Sequence, residues 1–171
     1  GPQFESSVEV RNFTRVKLAV PNFDPAMNYW TLQKALDEGK DLVLSPGHYR
    51  LAASLEVKFP SQVILGLGYA TLKAPEDGSP CILVHPKVPG VRIAGLMLEA
   101  SVLRSSNTPS TLLQWGMPSQ NDLGDSKNPG LLSDVFARVG GASNDRIASA
   151  ELCYYLMLII QSSDLNVCIV S

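Results

Sequence analysis

The stretch SQVILGLGYATLKAPEDG, residues Ser61–Gly78, has a near copy in PGVRIAGLMLEAS, residues Pro89–Ser101. Each is a short apolar run with glycines among its residues, and each follows a turn. Related runs, LSDVFARVGGAS and SSDLNVCIV, begin at Leu132 and Ser162. Successive copies are 28, 44 and 30 residues apart when they are aligned on Val63, Val91, Val135 and Leu165. Repeats of this length are typical of stacked structural units.

The strand pattern favours a parallel β-helix among the all-β folds. The runs are short and rich in Val, Ile and Leu, and no long helices separate them, which disfavours a doubly wound α/β sheet. Two-residue Asn-Gly or Asp-Gly turns are few, which disfavours a sandwich built from hairpins. In a β-helix each coil adds short strands to parallel sheets, and loops of variable length leave at the corners. The predicted strands are Leu42–Leu44, Leu55–Val57, Val63–Leu67, Ile82–Val84, Val91–Leu98, Leu112–Trp115, Val135–Val139, Leu156–Ile160 and Leu165–Val170.

Alternation along the aligned strands predicts which side chains face the core. The side chains expected to point inward are Val63, Leu65, Val91, Ile93, Val135, Ala137, Val139, Leu165 and Val167. Those expected to point outward are Ile64, Arg92, Phe136, Arg138 and Asn166. Bends where a side chain would clash are expected at Gly66, Gly68, Gly95, Gly140 and Gly141.

The chain before the repeats predicts a strand and a capping helix. Val8–Val20 alternates apolar and polar residues as a half-buried strand does. Tyr29–Glu38 carries apolar residues at helical spacing, with Gly39 as its C-cap. Asp41 to Arg50 then predicts a strand, a Pro-Gly turn and another strand. The predicted organisation is a tag scar at residues 1–2, the strand and capping helix at 3–40, and β-helix coils of one domain at 41–171.

The C-terminal end of the chain offers no comparable cap. Its last segment, YYLMLIIQSSDLNVCIVS, is strongly apolar. A solenoid needs polar capping units, because an open coil exposes its core and its strand edges. The sequence therefore predicts that this uncapped coil binds a partner. A second copy of the chain, in a homo-oligomer, is one such partner.

Composition and charge exclude several classes of function. Hydrophobic residues make up 45% and charged residues 18% of the 171, which argues against disorder. The formal net charge is −2 and no basic stripe exists, so no nucleic-acid partner is expected. No apolar run reaches the roughly 18 residues of a membrane span.

The cysteines and one sequon bear on the compartment. Cys81, Cys153 and Cys168 form no C-x-x-C pair, so we expect buried thiols, with room for one disulfide at most, and neither a metal nor a cofactor. Asn12 begins an Asn-Phe-Thr glycosylation triplet, which hints at secretion.

Binding residues are predicted on one face of the repeat. Phe136 beside Arg92 and Arg138 would form an aromatic platform flanked by hydrogen-bond donors. Trp115 and the polar segment after it, QWGMPSQNDLGDSKNPG, could extend this platform into a groove. Asp134 precedes the platform strand and either contributes a carboxylate or caps a turn. Surface arginines exposed only to solvent explain the two guanidinium groups equally well.

Catalytic residues are not marked by any motif. Glycoside hydrolysis needs two carboxyl groups held about 5 to 9.5 Å apart, and a β-helix lyase can use Arg92 or Arg138 as its base. The two histidines, His48 and His85, lack the strand–turn–helix motif of a serine nucleophile. The carboxylate candidates are Glu99, Asp134, Glu151 and Asp164.

The combination LQKALDEGKDLVLSPGHYRLAASLEV, VILGLGYATL, GVRIAGLMLEA and LLSDVFARVGGA resembles a family of secreted microbial proteins. That family has right-handed, pectate-lyase-like β-helices and is akin to the family-55 β-1,3-glucanases. The resemblance covers roughly Trp30 to Ala150 and implies the N-terminal part of such a protein in an extracellular, polysaccharide-rich setting. After VGGA the family continues with a Trp-Arg-Ala-Asp-His-like string and further coils that carry the catalytic acid. This chain departs from that pattern, so the resemblance implies a truncated relative and transfers no catalytic residue.

Two functions from different classes follow from these expectations. The first is a secreted β-helix module that binds a polysaccharide or protein partner without its own catalysis. The second is an active glycoside hydrolase or polysaccharide lyase acting on a β-glucan or pectin-like substrate. A self-assembling structural component, which forms oligomers but has no glycan affinity, is a third alternative.

Overall fold

The protein is described here by a computed structural model covering residues 11–101, 111–117 and 124–138. Within these residues a short 3-10 helix, Phe13–Arg15, precedes ten strands and one α-helix. Their bounds are β1 Val16–Ala19, α1 Pro25–Asp37, β2 Asp41–Leu44, β3 Gly47–Arg50, β4 Leu55–Val57, β5 Val63–Gly66, β6 Ala70–Lys73, β7 Ile82–Val84, β8 Arg92–Glu99, β9 Leu113–Trp115 and β10 Leu131–Arg138.

All strand pairs in this part of the chain are parallel, and they form three walls. Wall 1 contains β1, β2, β5 and the first halves of β8 and β10. Wall 2 contains β3, β6 and the second halves of β8 and β10. Wall 3 contains β4, β7 and β9. Each coil runs through the three walls in turn, which is the architecture of a parallel β-helix. Three complete coils are present, and β10 begins a fourth.

The register of wall 1 corrects the alignment predicted from the sequence. Ile64 pairs with Ile93, so Val63 pairs with Arg92 rather than with the valine before it. A shift of one residue moves side chains to the opposite face of a strand. Consequently Ile64 is buried while Val63 and Leu65 are half-buried, which is the reverse of the prediction. From the observed pairs Leu42–Ile64, Ile64–Ile93 and Ile93–Leu132, the coils are 22, 29 and 39 residues long.

A left-handed residue interrupts the alternation within β8 and again within β10. Gly95 has a φ of +65° and Asp134 a φ of +51°. Each turns its strand from wall 1 into wall 2 and shifts the inward positions by one, so Ile93 and Leu96 are both buried. Val135 therefore pairs with Leu96 in wall 2 and does not align with Val91, which directly precedes β8.

The other expectations for these two strands have mixed outcomes. Ala137 is exposed although it lies in register with buried Leu98, because no strand of the described residues follows β10 to cover it. Val135 is half-buried against the core. The positions that are buried or exposed as predicted are Val91, Ile93, Arg92, Phe136 and Arg138. The predictions that fall outside the described residues are those for Val139, Gly140, Gly141, Glu151, Cys153, Leu156–Ile160, Asp164, Leu165, Asn166, Val167, Cys168 and Leu165–Val170.

The core is a continuous column of aliphatic side chains inside the three walls. Its largest polar member is Tyr49, whose hydroxyl donates a hydrogen bond to the Ala19 carbonyl at 2.9 Å. Cys81 is a free, buried thiol, and burial raises its pKa. The most deeply buried aliphatic side chains are Leu32, Leu36, Leu42, Leu44, Leu55, Ile64, Leu72, Ile82, Ile93, Leu96 and Leu113.

Helix α1 covers the N-terminal end of the solenoid, as predicted, but it begins four residues earlier than Tyr29. Asp24 is the N-cap, since its carboxylate accepts a hydrogen bond from the Ala26 N–H at 2.9 Å. Pro25 occupies the first helical position, where a missing N–H costs nothing. The C-cap is Glu38, and Gly39, predicted as the C-cap, follows it with a φ of +70° that ends the helix.

Two buried amide side chains connect this helix to the strands beneath it. Asn28 donates to the carbonyl of Arg50 at 3.0 Å, at the edge of wall 2. Gln33 bonds to both backbone groups of Glu56, at the edge of wall 3. The helix therefore satisfies backbone groups that an uncapped coil would leave unpaired. No helix of the described residues is long and apolar enough to cross a membrane.

Candidate functional site

The outer surface of wall 2 carries two columns of side chains in parallel register, which we call the ladder face. In parallel strands, paired residues lie about 4.8 Å apart on the same side of the sheet. The first column runs His48, Thr71, Met97 and Phe136. The second column runs Arg50, Lys73, Glu99 and Arg138.

The first column runs from two polar residues, His48 and Thr71, through Met97 to the exposed aromatic ring of Phe136. Thr71 in the middle is buried between its neighbours, and Met97 is half-buried. At the end of the column, Phe136 has 63% of its surface exposed. Such a ring gives no packing energy to the core, but its open face is available to a ligand.

The second column is an ion network centred on one carboxylate. Glu99 Oε1 lies 3.4 Å from Lys73 Nζ, and Glu99 Oε2 lies 3.7 Å from Arg138 Nη1. The Glu99 side chain is only 10% exposed, whereas that of Arg138 is 43% exposed. Because both of its oxygens lie beside cations, Glu99 holds two long basic side chains in place along the wall. Arg138 is thereby held two residues from Phe136 in β10, whereas Lys73 lies two strands away in β6.

A cavity of about 280 Å³ lies where the strands of wall 2 end. Arg50 links it to the ladder face, because this residue ends β3 and also lines the cavity. Arg50 forms an ion pair with Glu76 at 3.5 Å. The Ser101 hydroxyl donates to the Ala74 carbonyl. The cavity combines a guanidinium group and carboxylates with apolar carbons, and it is lined by Pro25, Arg50, Leu51, Ala52, Ala74, Glu76, Asp77 and Ser101.

The register brings together some of the predicted binding residues and separates others. Phe136 and Arg138 lie on the ladder face, two residues apart in β10. Asp134 lies at the corner before them, exposed, with Ser133 Oγ 3.4 Å from its carboxylate. Arg92, however, is in wall 1 beside Val63. Gly95 turns β8 between Arg92 and Met97, and Met97 is the residue that pairs with Phe136 in wall 2.

Trp115 is not on the ladder face either. It ends β9 in wall 3, is half-buried and packs against the core. A side chain at Gly130 would clash with its ring, so the described part of the segment after Trp115 lies directly against this tryptophan. The expectation that Trp115 extends the Phe136 platform is therefore wrong in its geometry.

Sequence reasoning missed two cationic members of the ladder face, Arg50 and Lys73, and it missed the cavity. Lys73 was missed because β6, Ala70–Lys73, was not predicted as a strand. A signal was nevertheless present, since Arg50, Lys73, Glu99 and Arg138 each end an alternating run. Residues in that equivalent position stack when successive coils share a wall.

The other titratable groups of the described residues form no metal site. His85 Nε2 lies 3.1 Å from Glu56 Oε2, on wall 3, and Lys58 Nζ lies 3.0 Å from the same oxygen. The hydrogen bond from Lys58 lowers the pKa of Glu56. Among the described residues, no group of three or more His, Cys, Asp or Glu side chains could hold a metal ion.

The LAM55 pectate lyase-like domain matches this chain over residues 23–165, which is more than half of its length. The chain belongs to the LAM55 pectate lyase-like domain family. An exo-beta-1,3-glucanase of Streptomyces sp. (strain SirexAA-E / ActE) is 37% identical over 119 residues, covering 69% of this chain and 18% of the relative. The family match agrees with the right-handed, pectate-lyase-like solenoid predicted from the sequence, and that fold class is confirmed.

Two solved structures of sacteLam55A from Streptomyces sp. SirexAA-E are similar to this LAM55 domain. One, a variant in complex with glucose, has a TM-score of 0.55 and 35% identity, covering 67% of this chain and 19% of that protein. The other has a TM-score of 0.56 and 35% identity, covering 66% of this chain and 19% of that protein. The chain thus spans about a fifth of the length of the relatives it matches. The predicted kinship with β-1,3-glucanases is confirmed.

Proposed function

We propose that this LAM55 domain is an extracellular module that binds β-1,3-glucan on its ladder face without hydrolysing it. The family relationship supports the ligand class, because a relative is an exo-beta-1,3-glucanase. The surface chemistry supports the location. Sugars pack the C–H face of a pyranose ring on an aromatic side chain, while fixed polar groups bond to the hydroxyls.

The exposed ring of Phe136 beside an ordered row of charges is the observation that carries this proposal. Phe136 precedes Arg138 by two residues, so both side chains leave the same side of β10. Arg138 in turn is held by Glu99, which also holds Lys73. A glucan lying on Phe136 therefore meets the guanidinium donors of Arg138 in a position that is already set, which reduces the entropy cost of binding.

The same contacts support the absence of catalysis on this face. Glycoside hydrolysis requires two carboxyl groups that reach opposite sides of one bond. Glu99 is 10% exposed with both oxygens beside cations, so neither oxygen is open to a substrate. Among the described residues, Asp134 is the other carboxylate near Phe136, and it lies at the corner beyond the first column.

The test is binding of the chain to laminarin, a β-1,3-glucan, measured by calorimetry. We expect Phe136→Ala to weaken binding roughly tenfold, about 1.4 kcal/mol, as expected for loss of one aromatic stacking contact. Phe13→Ala is the matched control, because Phe13 is 86% exposed but lies beside β1 and not on wall 2. Equal affinities of the two variants would contradict the proposal.

A second candidate function, glycan cleavage, is favoured by the cavity next to the ladder face. Glu76 and Asp77 bring two carboxylates into one concave site. Reducing-sugar release from laminarin or pectin, lost in both Glu76→Gln and Asp77→Asn, would establish an active hydrolase or lyase. Binding without release supports the non-catalytic module.

The extracellular setting has its own test at Asn12. This residue is exposed and caps the 3-10 helix, its Oδ1 accepting a hydrogen bond from the Thr14 N–H at 3.1 Å. Expressed through a eukaryotic secretory pathway, the chain is expected to gain one glycan that a glycosidase removes and Asn12→Gln abolishes. An unmodified Asn12 under those conditions would remove this support for secretion.

A further inference from the structure

The corner between wall 1 and wall 2 has a different length in each coil. In coil 1, four residues, 44–47, connect the paired positions Val43 and His48. In coil 2, five residues, 66–70, connect the equivalent positions. In coils 3 and 4 only two residues do so, 95–96 and 134–135. The corner of coil 2 therefore projects beyond those of coils 3 and 4 and leaves a step in the surface.

The floor of this step cannot carry a side chain. Gly95, at the corner of coil 3, has a φ of +65°, and a Cβ there would approach the carbonyl oxygen of Gly66 to 2.6 Å. Both the backbone angle and the close approach require glycine. Below Gly95, the corner of coil 4 presents the exposed carboxylate of Asp134, and Phe136 follows two residues later.

Tyr69 stands on the high side of the step. It directly precedes β6 and is 90% exposed, so its ring contributes almost nothing to the core. Its φ of +61° is a left-handed conformation that glycine or asparagine adopts easily and a bulky residue does not. A strained backbone that displays an unpacked aromatic ring is the kind of outlier that indicates a binding role.

We propose that Tyr69 is a second stacking residue, so that a glucan chain crosses the step from Phe136 to Tyr69 over the bare corner at Gly95. Two strand spacings and two residues along the strand separate Tyr69 from Phe136, which gives about 12 Å between their Cα atoms. One glucose unit cannot contact both rings, whereas an oligosaccharide can. Asp134, at the low side of the step, accepts hydrogen bonds from sugar hydroxyls between the two rings.

This inference rests on the proposed glucan binding, and the experiment separates the two. Three variants, Tyr69→Phe, Tyr69→Asn and Phe136→Ala, are compared with the unchanged chain for binding to laminarin oligosaccharides and to glucose. Asparagine accepts the left-handed conformation, so Tyr69→Asn keeps the fold while removing the ring. Its melting temperature, which we expect to equal or exceed that of the unchanged chain, verifies folding.

The expected result is a length-dependent loss of affinity. Tyr69→Asn weakens the binding of long oligosaccharides five- to tenfold, which is more than it weakens the binding of glucose, while Tyr69→Phe retains the original affinity because stacking needs no hydroxyl. If Phe136→Ala weakens binding but a folded Tyr69→Asn stays within twofold, the second contact is absent and the proposed function stands. If Tyr69→Phe loses as much as Tyr69→Asn, stacking is not the interaction. If neither Phe136→Ala nor Tyr69→Asn changes binding, both proposals fail.

Discussion

The side-chain amide of Gln33 pairs with the backbone of Glu56 in the way that a neighbouring strand would. Its Oε1 accepts a hydrogen bond from the Glu56 N–H at 2.8 Å, and its Nε2 donates to the Glu56 carbonyl at 3.2 Å. Glu56 is the middle residue of β4, the edge strand of wall 3. One helical side chain thus closes the ladder of a sheet that has no further strand on this side within the described residues.

We expect Gln33→Leu to lower the free energy of unfolding by about 2 to 3 kcal/mol. The substitution leaves a backbone N–H and a carbonyl without partners under the buried face of α1, and each such group costs about 1 to 3 kcal/mol. Denaturant unfolding measures the change. Thr31→Ala, on the exposed side of the same helix, is the control and should stay within about 0.5 kcal/mol.

The ion network around Glu99 on the ladder face is expected to contribute more to stability than its contact distances of 3.4 and 3.7 Å suggest. Glu99→Gln should destabilise the chain by about 1 to 3 kcal/mol, because it leaves Lys73 and Arg138 facing a neutral, nearly buried amide. The Lys40–Glu38 pair is shorter, at 2.7 Å, but both of its side chains are exposed. Glu38→Gln should therefore leave the unfolding midpoint unchanged. A smaller loss of stability in Glu99→Gln than in Glu38→Gln would contradict the argument that burial, and not distance, determines how much an ion pair stabilises the fold.

Acid stability is expected to depend on the contact between Glu56 and Lys58. The hydrogen bond from Lys58 is the main cause that lowers the pKa of Glu56 from 4.5, and His85 adds to it. A carboxyl whose pKa is lower in the folded state contributes stability above its unfolded pKa, and this is lost as the pH falls through the folded value. Lys58→Met should thus reduce stability at pH 7. It should also make the loss of stability below about pH 4.5 less steep.

Melting temperatures from pH 7 to pH 3 measure this effect. Lys58 also lies 3.4 Å from Asp37, so Asp37→Asn is included to separate that pair from the contact with Glu56. An acid decline of the same steepness in Lys58→Met and the unchanged chain would refute the assignment.

Gly95→Ala is expected to be strongly destabilising. The added Cβ would meet the Gly66 carbonyl oxygen at 2.6 Å while the residue holds a φ of +65°. We expect a loss of roughly 3 kcal/mol or more, since strain of both kinds applies. Gly116→Ala separates the two causes, because Gly116 has a φ of +76° with no atom near its added methyl. It should cost only about 1 kcal/mol.

The β-helix could be predicted from the sequence because its repeat is a local signal. Leu55–Val57 and Ile82–Val84 match the observed strands residue for residue. Helix α1 was predicted from its apolar spacing, but its first turn was missed. Asp24 and Pro25, an N-cap followed by a first-position proline, were the signal that marks its start.

The candidate site could be predicted only in part, because register depends on contacts between distant residues. Phe136 and Arg138 were expected outward on one strand and are so. Arg92 was expected beside them, yet the left-handed bend at Gly95 puts it on another wall. The sequence predicted the bend at Gly95, and a clash of any added side chain there confirms it. It did not predict that this bend turns the strand onto another wall, since glycine is compatible with either backbone conformation.

By itself, the sequence determined that this chain forms short parallel strands in stacked coils, because apolar alternation and repeat length can be read directly from the order of residues. Tertiary structure alone decided that Lys73, Glu99 and Arg138 form one column. It also decided that the corner of coil 2, which carries Tyr69, lies next to the corner of coil 3 at Gly95. Both arrangements follow from the number of residues that each coil has at its corner between wall 1 and wall 2. A change of one residue there rotates or displaces every side chain that follows, so only the packed coils determine which residues meet.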